Sequence, residues 1–435
     1  MNNLITVREF ARLTTAEVTS PTLDRAQVTA SAFDWLCQLR TSIGSTGFVF
    51  ATLEDRRAIR LDSFVGVLET PCGTRIEILP KIASEDSATD SREILRRMIS
   101  VALDLPVREA TETQLQRFAA SISEWVMEQF LTALKDLLKK GVRFEYVRTE
   151  AVQRFLRGQL DPARQLRQPP GRQHHFHVRQ DNFLPDRPEN RLIKLALEQV
   201  ARAARSTIVW RLAQELRTLF GEVPASTNVA EDFRQWRGDR LTAHYKAIRP
   251  WCELILYRQM PYSLLGSWTG ISFLFPMAKL FERYVALWIR QNLEPGASLR
   301  TQAASEYLCH HDGERIFRLE PDLLLQAGDR RWILDTKWKL ISSLDRSGKY
   351  GLSQPDFYQL YAYGAKYLGR AGGELALIFP ATPTFSAPLP VFEFETNLRL
   401  WALPFDLLAY RLTGHDLPQL PLRSSSNAIR SMALM

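Results

Sequence analysis

The sequence predicts a mixed α/β protein, and three observations lead there. Its 435 residues are 45% hydrophobic and 24% charged, the composition of chains that bury cores of their own. Short runs rich in β-branched and aromatic residues recur between turn-forming clusters, as strands require. Longer stretches repeat apolar residues at three and four positions, as amphipathic helices do.

In chain order, β-like runs at 48–53 and 60–68, and a third at 74–79 after the turn Pro71-Cys72-Gly73, predict a small hairpin-bearing sheet. The polar, acidic segment 84–90 reads as a loop. Helices are expected over 91–103, over 113–140, and from Pro188 through the arginine-dotted run to Phe220. Gly266, Trp268 and Gly270 mark a break, and a boundary is placed near residue 260. The expected organisation is an α+β N-terminal region (1–85), a mainly helical middle (86–260) and a C-terminal domain (261–435) built on a central mixed sheet flanked by helices.

Four scattered cysteines, Cys37, Cys72, Cys252 and Cys309, show neither a disulfide framework nor zinc-ligand spacing, which fits a reducing cytoplasm. No secretion signal or membrane span is apparent. The net charge of +8 is compatible with a polyanionic partner. Residues 151–180 hold six arginines (Arg154, Arg157, Arg164, Arg167, Arg172, Arg179) against the single acid Asp161. Guanidinium forks suit phosphate oxygens, and Gly158, Pro162, Pro169, Pro170 and Gly171 suggest loops and short turns; a solvated basic linker is the alternative. The neighbouring HHFH cluster matches no common metal-ligand spacing.

The chemistry concentrates further on. Segment 275–293 reads as a strongly apolar helix with Glu282 on its face, a costly place for a carboxylate lacking a partner or a metal; pairing with Lys279 or Arg283 is the plainer reading. Runs 315–325 and 331–340 are β-like, and a two-residue Gly328-Asp329 loop of type II′ pairs Asp322 with Asp335 across the ladder. Opposed carboxylates repel unless a cation lies between them. Alternation brings Lys337 to the side of both acids. Two carboxylates can hold Mg²⁺, and a nearby lysine can orient water or stabilise charge in phosphodiester cleavage. An exposed hairpin with an ordinary salt bridge is the bland alternative; the continuous apolar runs 323–325 and 332–334 argue for a covered strand instead.

The series Glu282, Pro321-Asp322 and Asp335-Thr336-Lys337 resembles the PD-(D/E)XK nuclease core. Together with TRIEILPKI (74–82), LRGQLD (156–161), ENRLIKLAL (189–197), LFERYVA (280–286) and FYQLYAY (357–363), it resembles the McrC family over about residues 60–380. That resemblance implies a PD-(D/E)XK restriction-endonuclease-like C-terminal domain. In it Asp322, Asp335 and Lys337 are catalytic, Glu282 completes a Mg²⁺ (or Mn²⁺) site with Asp322 and Asp335, and Gln359 is an accessory polar residue. It further implies an endonuclease subunit of a modification-dependent restriction system, acting on double-stranded, modified DNA. The N-terminal region would dock on a hexameric McrB-like AAA+ GTPase. No G-x-x-x-x-G-K-[ST] stretch is present, so nucleotide binding falls to that partner. The rivals are a stand-alone repair or recombination nuclease and a non-catalytic DNA-binding adaptor.

Overall fold

The computed structural model describes residues 4–44, 49–82, 87–105, 121–169, 171–172, 174–238, 240–256 and 272–423. They fall into two compact units: one joins the residues up to Leu105 with those from Leu274 onward, and the other holds those between, ending at Phe273. Three successive regions were expected; instead the N-terminal part and the C-terminal part make one body, and the boundary sought near 260 lies outside the described residues.

The first unit opens with β1 (Leu4–Arg8), β2 (Arg12–Thr14), β3 (Arg25–Gln27), α1 (Ala30–Gly44), β4 (Ala51–Asp55), β5 (Ala58–Leu61), β6 (Phe64–Glu69), β7 (Arg75–Leu79) and α2 (Ala88–Ala102). The hairpin between β6 and β7 turns where Pro71-Cys72-Gly73 was expected to turn it, with Gly73 at φ 79°, a conformation costly for other residues. Helix α2 begins before the expected Ser91, because the Ser87 hydroxyl accepts from the Asp90 amide and caps the first turn.

The second unit contains α3 (Ile122–Lys140), β8 (Glu145–Gln153), β9 (Gln159–Leu160), α4 (Pro162–Gln165), β10 (Phe176–Leu184), α5 (Pro188–Ala203), α6 (Thr207–Leu219), α7 (Val229–Gln235) and α8 (Arg249–Leu256). Ser121 caps α3 through the Glu124 amide, and Gly141 at φ 93° ends it; the expected stretch 113–120 lies outside the described residues. Two expectations are corrected. The long helix to Phe220 is two helices, broken where Ala204 adopts extended geometry, so that α5 and α6 fold back on each other and bury their apolar faces. The basic segment is not loops throughout: β10 pairs with β8 from Phe176↔Gln153 to Leu184↔Glu145, and with β9, so the middle is less helical than expected. Gly158 and Pro162 sit in the connections of this ribbon rather than interrupting its strands.

The first unit resumes with β11 (Phe273–Pro276), α9 (Met277–Asn292), β12 (Ala297–Thr301), β13 (Glu306–His311), β14 (Glu314–Leu319), β15 (Leu323–Ala327), β16 (Arg330–Thr336), α10 (Gln354–Tyr367), β17 (Gly373–Pro380), β18 (Phe392–Glu393), β19 (Leu398–Asp406) and β20 (Arg411–Leu412). Here the run expected over 315–325 splits: β14 belongs to a separate hairpin with β13, and the chain turns at Glu320-Pro321 into β15. One sheet of the unit has the order β1-β7-β6-β11, a second β3-β2-β5-β4. The main sheet runs β12-β15-β16-β17-β19-β18, with β20 beside β19; β16, β17 and β19 are mutually parallel while β12, β15 and β16 alternate. Parallel strands need cover on both faces, and β17 reads ELALIFP accordingly, buried throughout. Ile333, Leu375, Leu377 and Phe379 pack against Leu360 and Tyr363 of α10. Each such side chain contributes roughly 1.5–3 kcal/mol when withdrawn from water. Helix α9 buries Leu280, Phe281, Tyr284, Val285 and Ile289, and also touches α2. No described helix is long and apolar enough to cross a membrane.

Candidate active site

The site grows from the β15–β16 hairpin. Its ladder runs from Leu323↔Leu334 to Ala327↔Arg330, the register that a two-residue Gly328-Asp329 loop imposes. Gly328 has φ 57° while Asp329 stays out of the left-handed region, as a type II′ turn requires. One register step beyond Leu323↔Leu334 places Asp322 opposite Asp335. Asp322 Oδ2 accepts from the Thr336 amide and from Thr336 Oγ1, both at 2.8 Å, which fixes the carboxylate against the end of β16.

Asp335 is 1% exposed. Its Oδ2 lies 2.5 Å from Lys337 Nζ, and beyond this ion pair that oxygen has no hydrogen-bond partner among the described residues. Burial, and then the Asp322 charge, push the Asp335 carboxyl up to about 7. Burial draws Lys337 the other way, but Asp335, Asp356 and Asp322 outweigh it and hold the ammonium above its ordinary range. Lys337 Nζ also donates to Gln359 Oε1 at 3.0 Å and lies 4.0 Å from Asp356 Oδ1. Gln359 is oriented in turn: its Nε2 donates to the Tyr363 hydroxyl, which donates to the Glu320 carbonyl. Helix α10 therefore sets the rotamer of the lysine.

Glu282 stands one step back. Buried on α9, it accepts from Lys279 Nζ at 2.8 Å and from Gln302 Nε2 at 3.2 Å, the lysine-paired arrangement weighed for it above. Gln302 also donates its amide to the Asp322 carbonyl, linking the two acids at one remove. Burial pulls the Lys279 ammonium down, but its hydrogen bond to Glu282, the Glu282 charge and, more weakly, Asp322 and Asp335 hold it above the ordinary range. Thus Lys337 pairs with Asp335, while Lys279 pairs with Glu282.

Among the described residues no three acidic, His or Cys side chains converge closely enough to hold a metal ion. A Mg²⁺ that keeps most of its waters needs only one or two carboxylates. Asp322 and Asp335, one of whose oxygens is buried without a hydrogen bond, fit that donor set; Glu282 as placed does not join them.

Residues that the sequence left unread complete the setting. Glu9, with 0% exposure, accepts from the Lys81 amide at 2.7 Å, Trp338 Nε1 at 2.8 Å and Ser63 Oγ at 3.0 Å, so it anchors the residue that follows Lys337. Burial pushes the Glu9 carboxyl up to about 7. Only a long-range contact reveals it, and no local pattern around Glu9 signals it. Lys279, Gln302 and Asp356 were likewise not singled out as site residues.

The arginine-rich segment belongs to the second unit. Arg154, Arg157, Arg167 and Arg172 are exposed. Arg164 is engaged with Glu150 at 2.5 Å and reaches Asp161 at 4.0 Å, and Arg179 pairs with the same two acids, so neither is a free cation.

A family model for the McrBC 5-methylcytosine restriction system component matches residues 59–380. No curated protein matches the chain at a significant level. Among solved structures, a chain of a Thermococcus gammatolerans half-complex, from a tetradecameric assembly of McrB AAA+ hexamers with bound McrC, is similar at TM-score 0.71 and 18% identity. That likeness covers 95% of this chain and 98% of the other. A chain of the Thermococcus gammatolerans McrBC complex is similar at TM-score 0.52 and 19% identity, over 66% of this chain and 88% of the other. At such identities the structures speak for a shared fold, while the family match spans most of the sequence: the chain belongs to the family of McrBC 5-methylcytosine restriction system components.

Proposed function

We propose that this chain is the nuclease subunit of a McrBC-like restriction system, a Mg²⁺-dependent endodeoxyribonuclease with a PD-(D/E)XK centre that is activated by an AAA+ GTPase partner. The observation that carries the reading is the buried Asp335 facing Asp322 at the end of a covered hairpin, with Lys337 against it. Two acids and an ammonium on one strand end are expensive to fold, and a structural hairpin has no need of them. Family membership and the likeness to McrBC assemblies support the partner and the modified-DNA substrate.

In this mechanism Asp322 and Asp335 hold the divalent ion, and Thr336 keeps Asp322 in place for it. The ion, when bound, supplies positive charge at the scissile phosphate. Lys337 spends contacts on Asp335 and Gln359 and retains donor capacity for a phosphate oxygen, where it stabilises negative charge that develops during cleavage. Its raised pKa suits an electrostatic and donor role rather than that of a general base at neutral pH. Glu282 holds Lys279 and Gln302 near the acids and is the reserve ligand.

The test compares the isolated chain with the chain plus its AAA+ partner and GTP, on methylated DNA with Mg²⁺. The isolated chain should be nearly silent and the complex should cut. Efficient cutting by the isolated chain would favour a self-sufficient repair nuclease, and a silent complex would favour an adaptor.

A further inference from the structure

At the N-terminal end of helix α10 the chain forms a cavity of about 440 Å³ lined among others by Arg346, Lys349, Tyr350, Ser353, Phe357 and Phe392. That volume lies within the roughly 300–1,000 Å³ of small-ligand sites. Aromatic rings contribute to its lining, with Phe357 and Phe392 edge to face at 5.1 Å. Cations make its rim. Arg346 and Lys349 are exposed, and neither is paired with an acid among the described residues. None of the lining residues is acidic. The rim is also held in a definite shape: Lys349 and Tyr350 both adopt positive φ (56° and 60°), fixed by the Tyr350 amide donating to the Asp345 carbonyl at 2.6 Å and by the Ser342 amide donating to the Tyr350 carbonyl.

A short chain of polar contacts links the cavity wall to the candidate centre. Ser353 of its wall donates to Asp356 Oδ2 at 2.5 Å, and the other oxygen of Asp356 lies 4.0 Å from Lys337 Nζ. Aromatic rings beside unpaired cations are the chemistry of a nucleotide: a ring face takes a base and the cations take a phosphate. A duplex cannot enter a space of this size, whereas a base swung out of its stack can.

We infer that this cavity binds one unstacked nucleotide of the DNA strand, with its phosphate between Arg346 and Lys349 and its base on the rings of Tyr350, Phe357 and Phe392. The inference rests on the nuclease reading for its substrate. It adds a subsite beside the metal-binding acids, and so makes the chain itself a reader of strand distortion near the cut.

The test uses the full chain in complex with its AAA+ partner, Ca²⁺ in place of Mg²⁺, and a single-stranded oligodeoxynucleotide containing 5-iodo-deoxyuridine. Photo-crosslinking followed by peptide mapping should place the adduct on Tyr350, Phe357 or Phe392. Reversing Arg346→Glu and Lys349→Glu together should abolish that adduct and lower the log–log salt slope of oligonucleotide binding by about 0.7, the contribution of one single-strand phosphate contact. Arg346→Lys should retain both, which guards against a folding defect. Adducts only elsewhere, with an unchanged slope, would overturn the inference. So would a double reversal that weakens co-purification with the AAA+ partner and leaves oligonucleotide binding intact, because the rim would then face protein. Cleavage by the wild-type complex is read separately: cutting without the adduct removes the subsite alone, and an adduct without cutting removes the nuclease reading alone.

Discussion

Asp335 carries a folding cost. Its carboxyl titrates near 7 rather than at the ordinary 3.8, chiefly because it is buried and secondly because Asp322 faces it. A carboxyl whose pKa is raised on folding favours the folded state when protonated, so that contribution is lost as pH rises from about 4 to about 7 and stays lost above. Asp335→Asn should therefore stabilise the metal-free protein more at pH 8 than at pH 5, by an amount on the order of 2 kcal/mol. Thermal unfolding in the presence of a chelator checks this, and equal stability changes at both pH values would contradict it. Glu282→Gln asks a different question. If the helical acid joins the ion when DNA is bound, the Mg²⁺ concentration needed for half-maximal cutting should rise severalfold; an unmoved titration curve would leave Glu282 as the partner of Lys279 and Gln302. At this scale the juxtaposition of Asp322, Asp335 and Lys337 was legible in the sequence because a two-residue turn dictates its own register. Glu9, Gln302 and Asp356 were not, since each reaches the site through an element far away along the chain.

Among the elements, helix α10 and the N-terminal part of the chain hold the end of β16 and the residues after it from two sides. Gln359 is the contact of α10 with Lys337. Removing a hydrogen bond to a charged group costs about 1.5–3 kcal/mol, so Gln359→Ala should slow cutting by tenfold or more without altering assembly. On the other side, Glu9→Ala would leave the Lys81 amide and Trp338 Nε1 without their acceptor. Each orphaned donor costs about 1–3 kcal/mol, so the melting temperature should fall measurably, and Glu9→Gln should recover much of the loss. Equal damage from both replacements would show that the charge of Glu9 matters rather than its acceptor oxygens. The end of α3 at Lys140 was readable, with Gly141 following it, and α2 begins only three residues before the expected Ser91; the start of α3 was not, since the helix begins at Ile122 where 113 was expected. The basic segment was misread because its prolines and glycines signal breaks locally, whereas β8 and β10 gain their stability from each other across more than twenty intervening residues. The same nonlocality explains the long helix read to Phe220: periodicity survives the break at Ala204, and only packing of α6 on α5 reveals it.

For the whole molecule, the discontinuous unit that joins residues up to Leu105 with those from Leu274 was beyond a reading of composition along the chain, because turn signals mark boundaries and do not say which segments rejoin. The surplus of eight positive charges was legible, but its use was not. The structure shows Arg164 and Arg179 tied to Glu150 and Asp161, which leaves Arg154, Arg157, Arg167 and Arg172 exposed, and Arg154, Arg157 and Arg167 serve to test sequence-independent DNA affinity. Reversing those three to glutamate should lower the salt slope of duplex binding by nearly three if all touch phosphates, at roughly 0.9 each, and should do so alike for methylated and unmethylated DNA. An unchanged slope with weaker partner binding would assign the ribbon to protein contact. The central claim, that the end of the β15–β16 hairpin is a phosphodiester-cleaving centre, is tested most directly by the Lys337→Ala chain assembled with its AAA+ partner on methylated DNA. Cleavage should fall about a thousandfold or more while assembly and GTP hydrolysis by the partner stay at wild-type levels; cutting by that complex at near wild-type rate would contradict the account.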